Sequence, residues 1–430
     1  MSDYKPRKIF SRIEHFLETN DIVVIHGARQ TGKTTLLRII IDKLKIKDQI
    51  SDKNIAYFDL EDFSLLDLCN QGPREVIKYL EAKGASINTQ HKFYLFIDEI
   101  QYLSHPSNFL KIFHDHFSQI KLFVSGSSSF DIKKKFRDSL VGRTVDFELF
   151  TLDFDEFLVF KGVRYNLWEK ESFDIEAIDK EILPLFREYL IYGGYPKIVL
   201  EKNVKHKEIY LKQIIDTYVK KDIRDMANIR NVDRFNRFLI ALSDQSGNLL
   251  NILELSNTVG LARQTIEEYL FILEKTYVIK LIRPFFTNVR SEITKMPKLF
   301  FEDTGMLNVL RLSTFIDKVD GRLFENGVYS LLRRNLLEDV IKYWRNKQKM
   351  ELDFVLNLKK TIIPIEAKLS YPHKAKKNIL SFLEKYKQEK GLAVSLQKPE
   401  RSKNPDIEYI YPWQLYYRLR DLAPAFMLYP

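Results

Sequence analysis

The 430-residue chain is 45% hydrophobic, with 31 Phe and 22 Tyr, which excludes a disordered chain and suffices for two to four packed domains. A single cysteine, Cys69, excludes a disulfide within the chain and fits a reducing compartment. The net charge is +10, and residues 321–430 hold 21 Lys and Arg against 12 Asp and Glu, so the cationic surplus lies at the C-terminal end. It reads either as an electrostatic footprint for nucleic acid or as a solvated lysine face.

The opening "MSDYKPRKIF" has no apolar core of a secretory leader. No window approaches the ~20 apolar residues of a bilayer span. The expectation is a cytoplasmic protein with no membrane partner.

A first strand, "DIVVIHG" (21–27), leads through a glycine-containing loop into a helix, "TTLLRIIIDKL". A strand "NIAYFDLED" (54–62) and one long helical stretch to about Lys83 come next. Strands "FYLFIDEIQ" (93–101) and "IKLFVSGSS" (120–128) follow. Apolar strands alternating with amphipathic helices imply α/β architecture, a parallel sheet with helices on both faces. After "FELFTLDFDEFLVF" the pattern turns helical, punctuated by "YGGYP" (192–196). Within "NILELSNTVGLARQTIEEYLFILEKTYVIKLIRPFF" a helix, a Gly-centred turn, a second helix and a strand pair have the form of a winged helix-turn-helix. Arg263 and Gln264, opening its second helix, are the candidates for groove or phosphate contact. From about 315, the helix "GRLFENGVYSLLRRNLL" precedes strands "VIKYWRN", "MELDFVLNL", "TIIPIEAK" and "GLAVSL", a small α/β unit.

"GARQTGKT", Gly27–Thr34, has the spacing G-x-x-x-x-G-K-[ST] between a strand and a helix. Such a loop wraps phosphates with backbone N–H groups and a helix N-terminus. Gly27, Arg29, Thr31, Gly32, Lys33, Thr34 and Thr35 are therefore candidate ATP-binding residues. Lys33 serves the β/γ-phosphates, and Thr34 is a Mg²⁺ ligand. Asp98, at the end of an apolar strand, is the second Mg²⁺-holding group, and Glu99 is the general base that polarises water. Ser127, with Ser128 as the alternative, is the candidate γ-phosphate sensor. Arg143 in "SLVGRTVDF" is either a transition-state arginine, acting in cis or on a neighbouring subunit, or a plain surface residue. His26 reads as a packed histidine.

A second constellation lies in the C-terminal part. Asp353 in "ELDFVL" is followed thirteen residues later by Glu366-Ala367-Lys368. Glu366 and Lys368 share one face of a strand, because side chains alternate. An Asp on one strand and Glu-x-Lys on the next is the spacing of the PD-(D/E)xK nuclease core. Two carboxylates there can share Mg²⁺ or Mn²⁺, and the lysine can activate water. Glu325, on the preceding helix, is a further candidate ligand. A buried Glu–Lys pair with no catalytic task is the competing reading.

"GARQTGKT", "FIDEIQ", "GSSS", "LVGR", "YGGYP", "PKLFFEDTG" and "ELDFVL…PIEAK" together make the chain resemble prokaryotic AAA+-like ATPases with a winged-helix middle and a PD-(D/E)xK nuclease-like C-terminal domain. The resemblance implies ATP binding and hydrolysis with Mg²⁺, assembly into a homo-oligomer such as a hexameric ring, and DNA as partner. It implies an ATPase domain over 1–150, a helical lid or connector over 151–204, a helical and winged-helix region over 205–314, and a nuclease-like domain over 315–430. Three functions stay open: an ATP-driven DNA-processing nuclease, a non-cleaving DNA-binding ATPase, and a nucleotide-operated signalling switch.

Overall fold

The computed structural model describes residues 4–46, 48–87, 92–126, 140–170, 176–222, 229, 231–286, 295–359, 361–370, 373–397 and 404–428. The chain divides into two compact units, residues 1–150 with 275–277, and residues 151–274 with 278–430.

The first unit is built on a five-stranded parallel sheet. Its strands are β1 (Ile22–His26), β2 (Ile55–Asp59), β3 (Phe93–Asp98), β4 (Ile120–Gly126) and β5 (Thr144–Glu148), in the order β2-β3-β4-β1-β5. Every residue of β1, β3 and β4 is buried. That is why these segments read as continuous apolar runs rather than alternating ones: helices cover both faces. Leu36, Leu37, Ile40 and Leu44 of the helix Lys33–Ile46 are buried, and Phe109, Leu110 and Phe113 of the helix Pro106–His116 join the core with Leu95, Ile97, Leu122 and Val124.

Two expectations need correction. The helical stretch ending near Lys83 is two helices, Phe63–Gln71 and Pro73–Ala82. Gly72, at φ 114°, turns the chain where few L side chains go, and Pro73 then starts the second helix, where its missing N–H costs nothing. β5 was not expected at all. It is an edge strand whose only fully buried residue is Phe147, so its apolar content is too low to announce it.

The second unit opens on helices, among them Glu176–Tyr192, and contains the helix pair Ile252–Val259 and Arg263–Lys275. Asn251 caps the first of the pair through its side chain. Gly260, in the left-handed region at φ 67°, ends it. The antiparallel pair β6 (Ile279–Ile282) and β7 (Lys298–Phe301) follows.

The "YGGYP" turn and "FEDTG" pack on each other. The Gly194 N–H donates to Asp303 Oδ2 at 2.8 Å, a Cβ on Gly193 would meet the Asp303 carboxylate, and a Cβ on Gly305 would lie 2.2 Å from the Tyr192 carbonyl oxygen. These two motifs are a structural joint, and their glycines are there for close approach.

The C-terminal sheet comprises β8 (Ile341–Arg345), β9 (Glu351–Leu358), β10 (Thr361–Ala367), β11 (Gly391–Val394) and β12 (Ile407–Ile410), in the order β12-β11-β10-β9-β8. β8, β9 and β10 run antiparallel, and β10, β11 and β12 run parallel. The helix His373–Tyr386 covers one face through Ile379, Phe382 and Leu383. β12 is a four-residue strand that the sequence reading missed.

Candidate functional site

All strands of the first sheet are parallel, so the loop after β1 and the ends of β3 and β4 meet at one edge. Gly27 is forced there: a Cβ on it would lie 2.1 Å from the Leu149 carbonyl oxygen. Gln30 (φ 61°) and Gly32 (φ 98°) take left-handed conformations that fold the loop back over the start of the helix. Lys33 is 5% exposed, and its Nζ donates to the carbonyls of Gly27 at 3.2 Å and Ala28 at 3.0 Å. Burial lowers its pKa, against the opposing pull of the Glu99 and Asp98 carboxylates. Thr31 Oγ1 donates to the Ala28 carbonyl at 2.9 Å, Thr35 is exposed, and Arg29 interacts with the Tyr102 side chain.

Asp98 ends β3 and gathers three hydroxyls. Thr34 Oγ1 donates to its Oδ2 at 2.6 Å, Tyr57 Oη donates to the same oxygen at 2.8 Å, and Ser125 Oγ donates to Oδ1. Burial, and then the bond to Asp98, raises the Tyr57 pKa. Glu99 follows in a left-handed conformation (φ 55°, ψ 48°), which is costly for a side chain with a Cβ. Its N–H donates to Ser125 Oγ at 3.3 Å, and Gln101 Nε2 donates to its carboxylate. The edge thus assembles an ammonium, a hydroxyl, a chelating carboxylate and a second carboxylate, which are the groups a Mg²⁺–nucleotide needs.

Sequence reasoning missed three residues here. Ser125 and Tyr57 orient Asp98. Arg7 is buried and donates to the Thr31 carbonyl at 2.7 Å and the Phe150 carbonyl at 2.8 Å, tying the phosphate loop to the end of the sheet. Ser127 and Ser128 lie outside the described residues.

Arg143 is placed away from its own phosphate loop. Its carbonyl accepts from the Ile22 N–H at the start of β1, whereas the loop follows the end of that strand. Four residues of strand separate the two levels, about 13 Å. Its guanidinium is paired with Asp115 at 2.7 and 3.1 Å, and that pairing holds the Asp115 carboxyl well below the usual range. The cis role is therefore corrected. His26 is buried as expected, its Nδ1 hydrogen-bonded to the Tyr277 hydroxyl.

The second unit brings Glu325, Asp353, Glu366 and Lys368 together. Asp353 on β9 and Glu366 on β10 come from paired strands, and the Ala367 N–H donates to Asp353 Oδ2 at 2.8 Å. Lys368 Nζ lies 2.6 Å from Asp353 Oδ2 and 3.6 Å from Glu366 Oε1. The cluster also contains a cation that sequence reasoning did not place there. Lys298 of β7 is 1% exposed, and its Nζ lies 2.6 Å from Glu325 Oε1, 3.1 Å from Glu351 Oε1 and 3.5 Å from Asp353 Oδ1.

The electrostatics follow from this arrangement. Burial and then the neighbouring Asp353 push Glu325 up to about 7 and Glu366 up to about 8. Burial works against the charged Asp353 too, but the Lys368 and Lys298 ammonium groups outweigh it and hold its carboxyl low. Both lysines are raised, their carboxylate partners overcoming desolvation. Glu366 Oε2 is buried without a hydrogen-bond partner.

A divalent ion does not fit this cluster as it stands. Among the described residues no group of three or more His, Cys, Asp or Glu is arranged to hold a metal, and the Lys298 ammonium stands between three of the carboxylates. In the helix pair, Arg263 and Gln264 are exposed, and Arg263 Nε pairs with Glu267 at 2.8 Å.

Three stretches of the chain match known protein families. Residues 19–158 match the model of the AAA domain family; residues 183–316 and 320–416 match two families described only as domains of unknown function (DUF8612 and DUF4143). The parallel sheet and its phosphate-loop edge are those of a P-loop NTPase fold, and the AAA domain match covers this part of the chain. The chain belongs to the family of the uncharacterized protein MJ1544 of Methanocaldococcus jannaschii, to which it is 30% identical over 362 residues, 82% of this chain and 76% of the relative. An uncharacterized protein of Haemophilus influenzae is 26% identical over 406 residues, covering 92% of this chain and 94% of its own length. Among solved structures, the Walker-type ATPase PABY2304 of Pyrococcus abyssi is 14% identical with TM-score 0.45, covering 72% of this chain and 97% of its own. The Aeropyrum pernix ORC1 protein in complex with DNA is 11% identical with TM-score 0.31, covering 69% and 90%. No helix of the described residues is long and apolar enough to cross a membrane.

Proposed function

We propose that this protein hydrolyses ATP, assembles into an oligomer, and engages DNA without cutting it. The observation that carries the ATPase reading is the convergence of Lys33, Thr34, Asp98 and Glu99 on one sheet edge. Thr34 and Asp98 would hold Mg²⁺, which neutralises phosphate charge when bound with ATP. Lys33 exchanges its two loop carbonyls for phosphate oxygens. Glu99, held by Gln101, takes a proton from the attacking water.

DNA is favoured as partner by the cationic surplus of residues 321–430 and by the exposed Arg263 and Gln264 at the start of a helix. The second reading is a Mg²⁺-dependent nuclease. Asp353, Glu366 and Lys368 on adjoining strands favour it, and Lys298 among the carboxylates speaks against it.

ATP turnover measured with and without linear and branched DNA tests the proposal, with Mg²⁺ or Mn²⁺ present and the DNA recovered afterwards. Stimulation that fades steeply with added salt, with intact DNA, is the expected result. Turnover indifferent to DNA leaves the signalling switch, and cleaved DNA establishes the nuclease.

A further inference from the structure

We infer that Lys298 is the resident cation of the C-terminal cluster: its ammonium takes the place of a divalent metal ion, and the carboxylates become a metal site only when Lys298 is removed. The inference deepens the non-cleaving reading of the second unit and is independent of ATP chemistry.

The argument starts from charge and geometry. An ammonium has three N–H donors, and Lys298 Nζ has three carboxylate neighbours, Glu325, Glu351 and Asp353, at 2.6, 3.1 and 3.5 Å. Glu351 and Asp353 stand two apart on one face of β9, and Glu325 joins them from a helix distant in sequence. Taking a lysine out of water is costly unless it is paired. Here the cost is met by carboxylates that would themselves be untenable together without a cation. Nearer the surface, Lys368 contacts Asp353 and Glu366, so ammonium and carboxyl groups alternate along the row Glu351, Lys298, Asp353, Lys368, Glu366. A hard divalent ion needs oxygen ligands at 2.0–2.6 Å on several sides. Asp353 has one oxygen facing Lys298 and the other engaged by Lys368 and the Ala367 N–H, so an ion bound there would have to displace an ammonium.

The anchor of Lys298 is firm. It begins β7, pairs in register with Ile282, and is followed by Leu299, Phe300 and Phe301, each 0% exposed. The Lys298 side chain is itself 1% exposed. Lys298 is therefore a positioning residue for the carboxylates and touches no reacting atom.

Electron paramagnetic resonance of Mn²⁺ titrated into the nucleotide-free, full-length protein tests the inference. The wild type and Asp353→Asn should give the same Mn²⁺ signal, because the cluster takes no ion. Lys298→Gln should bind one additional Mn²⁺ per chain, lost again in Lys298→Gln/Asp353→Asn, and its lowered melting temperature should rise on adding Mn²⁺ whereas that of the wild type stays put. Should Lys298→Gln not fold, Lys298→Met, which keeps the length of the side chain and removes its charge, takes its place in the same titration. Mn²⁺ bound by the wild type and lost in Asp353→Asn would overturn the inference, as would a folded Lys298→Gln that gains no Mn²⁺. Because no nucleotide is present, neither outcome depends on whether the protein hydrolyses ATP.

Discussion

Thr34 Oγ1 donates to Asp98 Oδ2 at 2.6 Å, joining the last residue of the phosphate loop to the end of β3 across 64 residues of sequence. Ser125 holds the other oxygen of the same carboxylate and also accepts from the Glu99 N–H. Asp98 is thus fixed from both sides before any ligand arrives. Ser125→Ala should leave ATP binding within a few-fold of wild type but lower kcat roughly 10-fold, because Asp98 and Glu99 lose their shared support. Steady-state turnover set against equilibrium nucleotide binding checks this. Equal losses in both would mean that Ser125 only maintains the fold.

Arg143 faces away from its own nucleotide edge and is paired with Asp115. If it acts on a neighbouring subunit, ATP turnover per chain should rise with protein concentration. Mixing Lys33→Ala with Arg143→Ala chains should then restore some activity, since each supplies what the other lacks. Additive, concentration-independent turnover contradicts the trans role, and with the cis role removed by geometry Arg143 becomes a plain surface ion pair.

Stability should fall between about pH 5 and pH 8 through the C-terminal cluster. Glu366 and Glu325 are raised from 4.5 to about 8 and about 7 by burial and by Asp353. Across that window the folded state keeps protons that the unfolded chain has released, so raising the pH favours unfolding, by up to about 1.4 kcal/mol per pH unit for one group. The upward shifts of Lys298 and Lys368 act only above their ordinary 10.5, and the downward shift of Asp353 only below 3.8. Glu366→Gln should therefore flatten the dependence of melting temperature on pH between 5 and 8. Identical slopes for variant and wild type would show that Glu366 is already ionised in the folded protein.

Contiguous information was legible in the sequence, and convergent information was not. Gly27–Thr34 lie in one loop, and Asp98 and Glu99 close an apolar run, so strand–loop–helix order alone located them. The α/β class and the small C-terminal sheet followed from apolar runs and their punctuation. Ser125 escaped because β4 is buried on both faces, leaving no alternation to single it out as the serine that faces Asp98. Arg7 and Tyr57 owe their place to partners in distant parts of the chain, Thr31 and Phe150 for one and Asp98 for the other. Lys298 sits in a motif that the sequence reading singled out, yet a lysine ahead of "LFF" looks like a solvent-facing strand start. Only the packing of β7 against the helix Gly321–Asn335 and β9 turns it inward, where it changes the meaning of Asp353 and Glu366.

The most direct test of the ATPase account is Glu99→Gln, measured by nucleotide binding and by single-turnover hydrolysis in the same preparation. Glutamine keeps the shape and the partner Gln101 but cannot accept the proton of the attacking water. The account predicts ATP binding close to wild type and hydrolysis slowed by about 10²-fold or more. Undiminished hydrolysis by a folded, ATP-binding Glu99→Gln protein would contradict it.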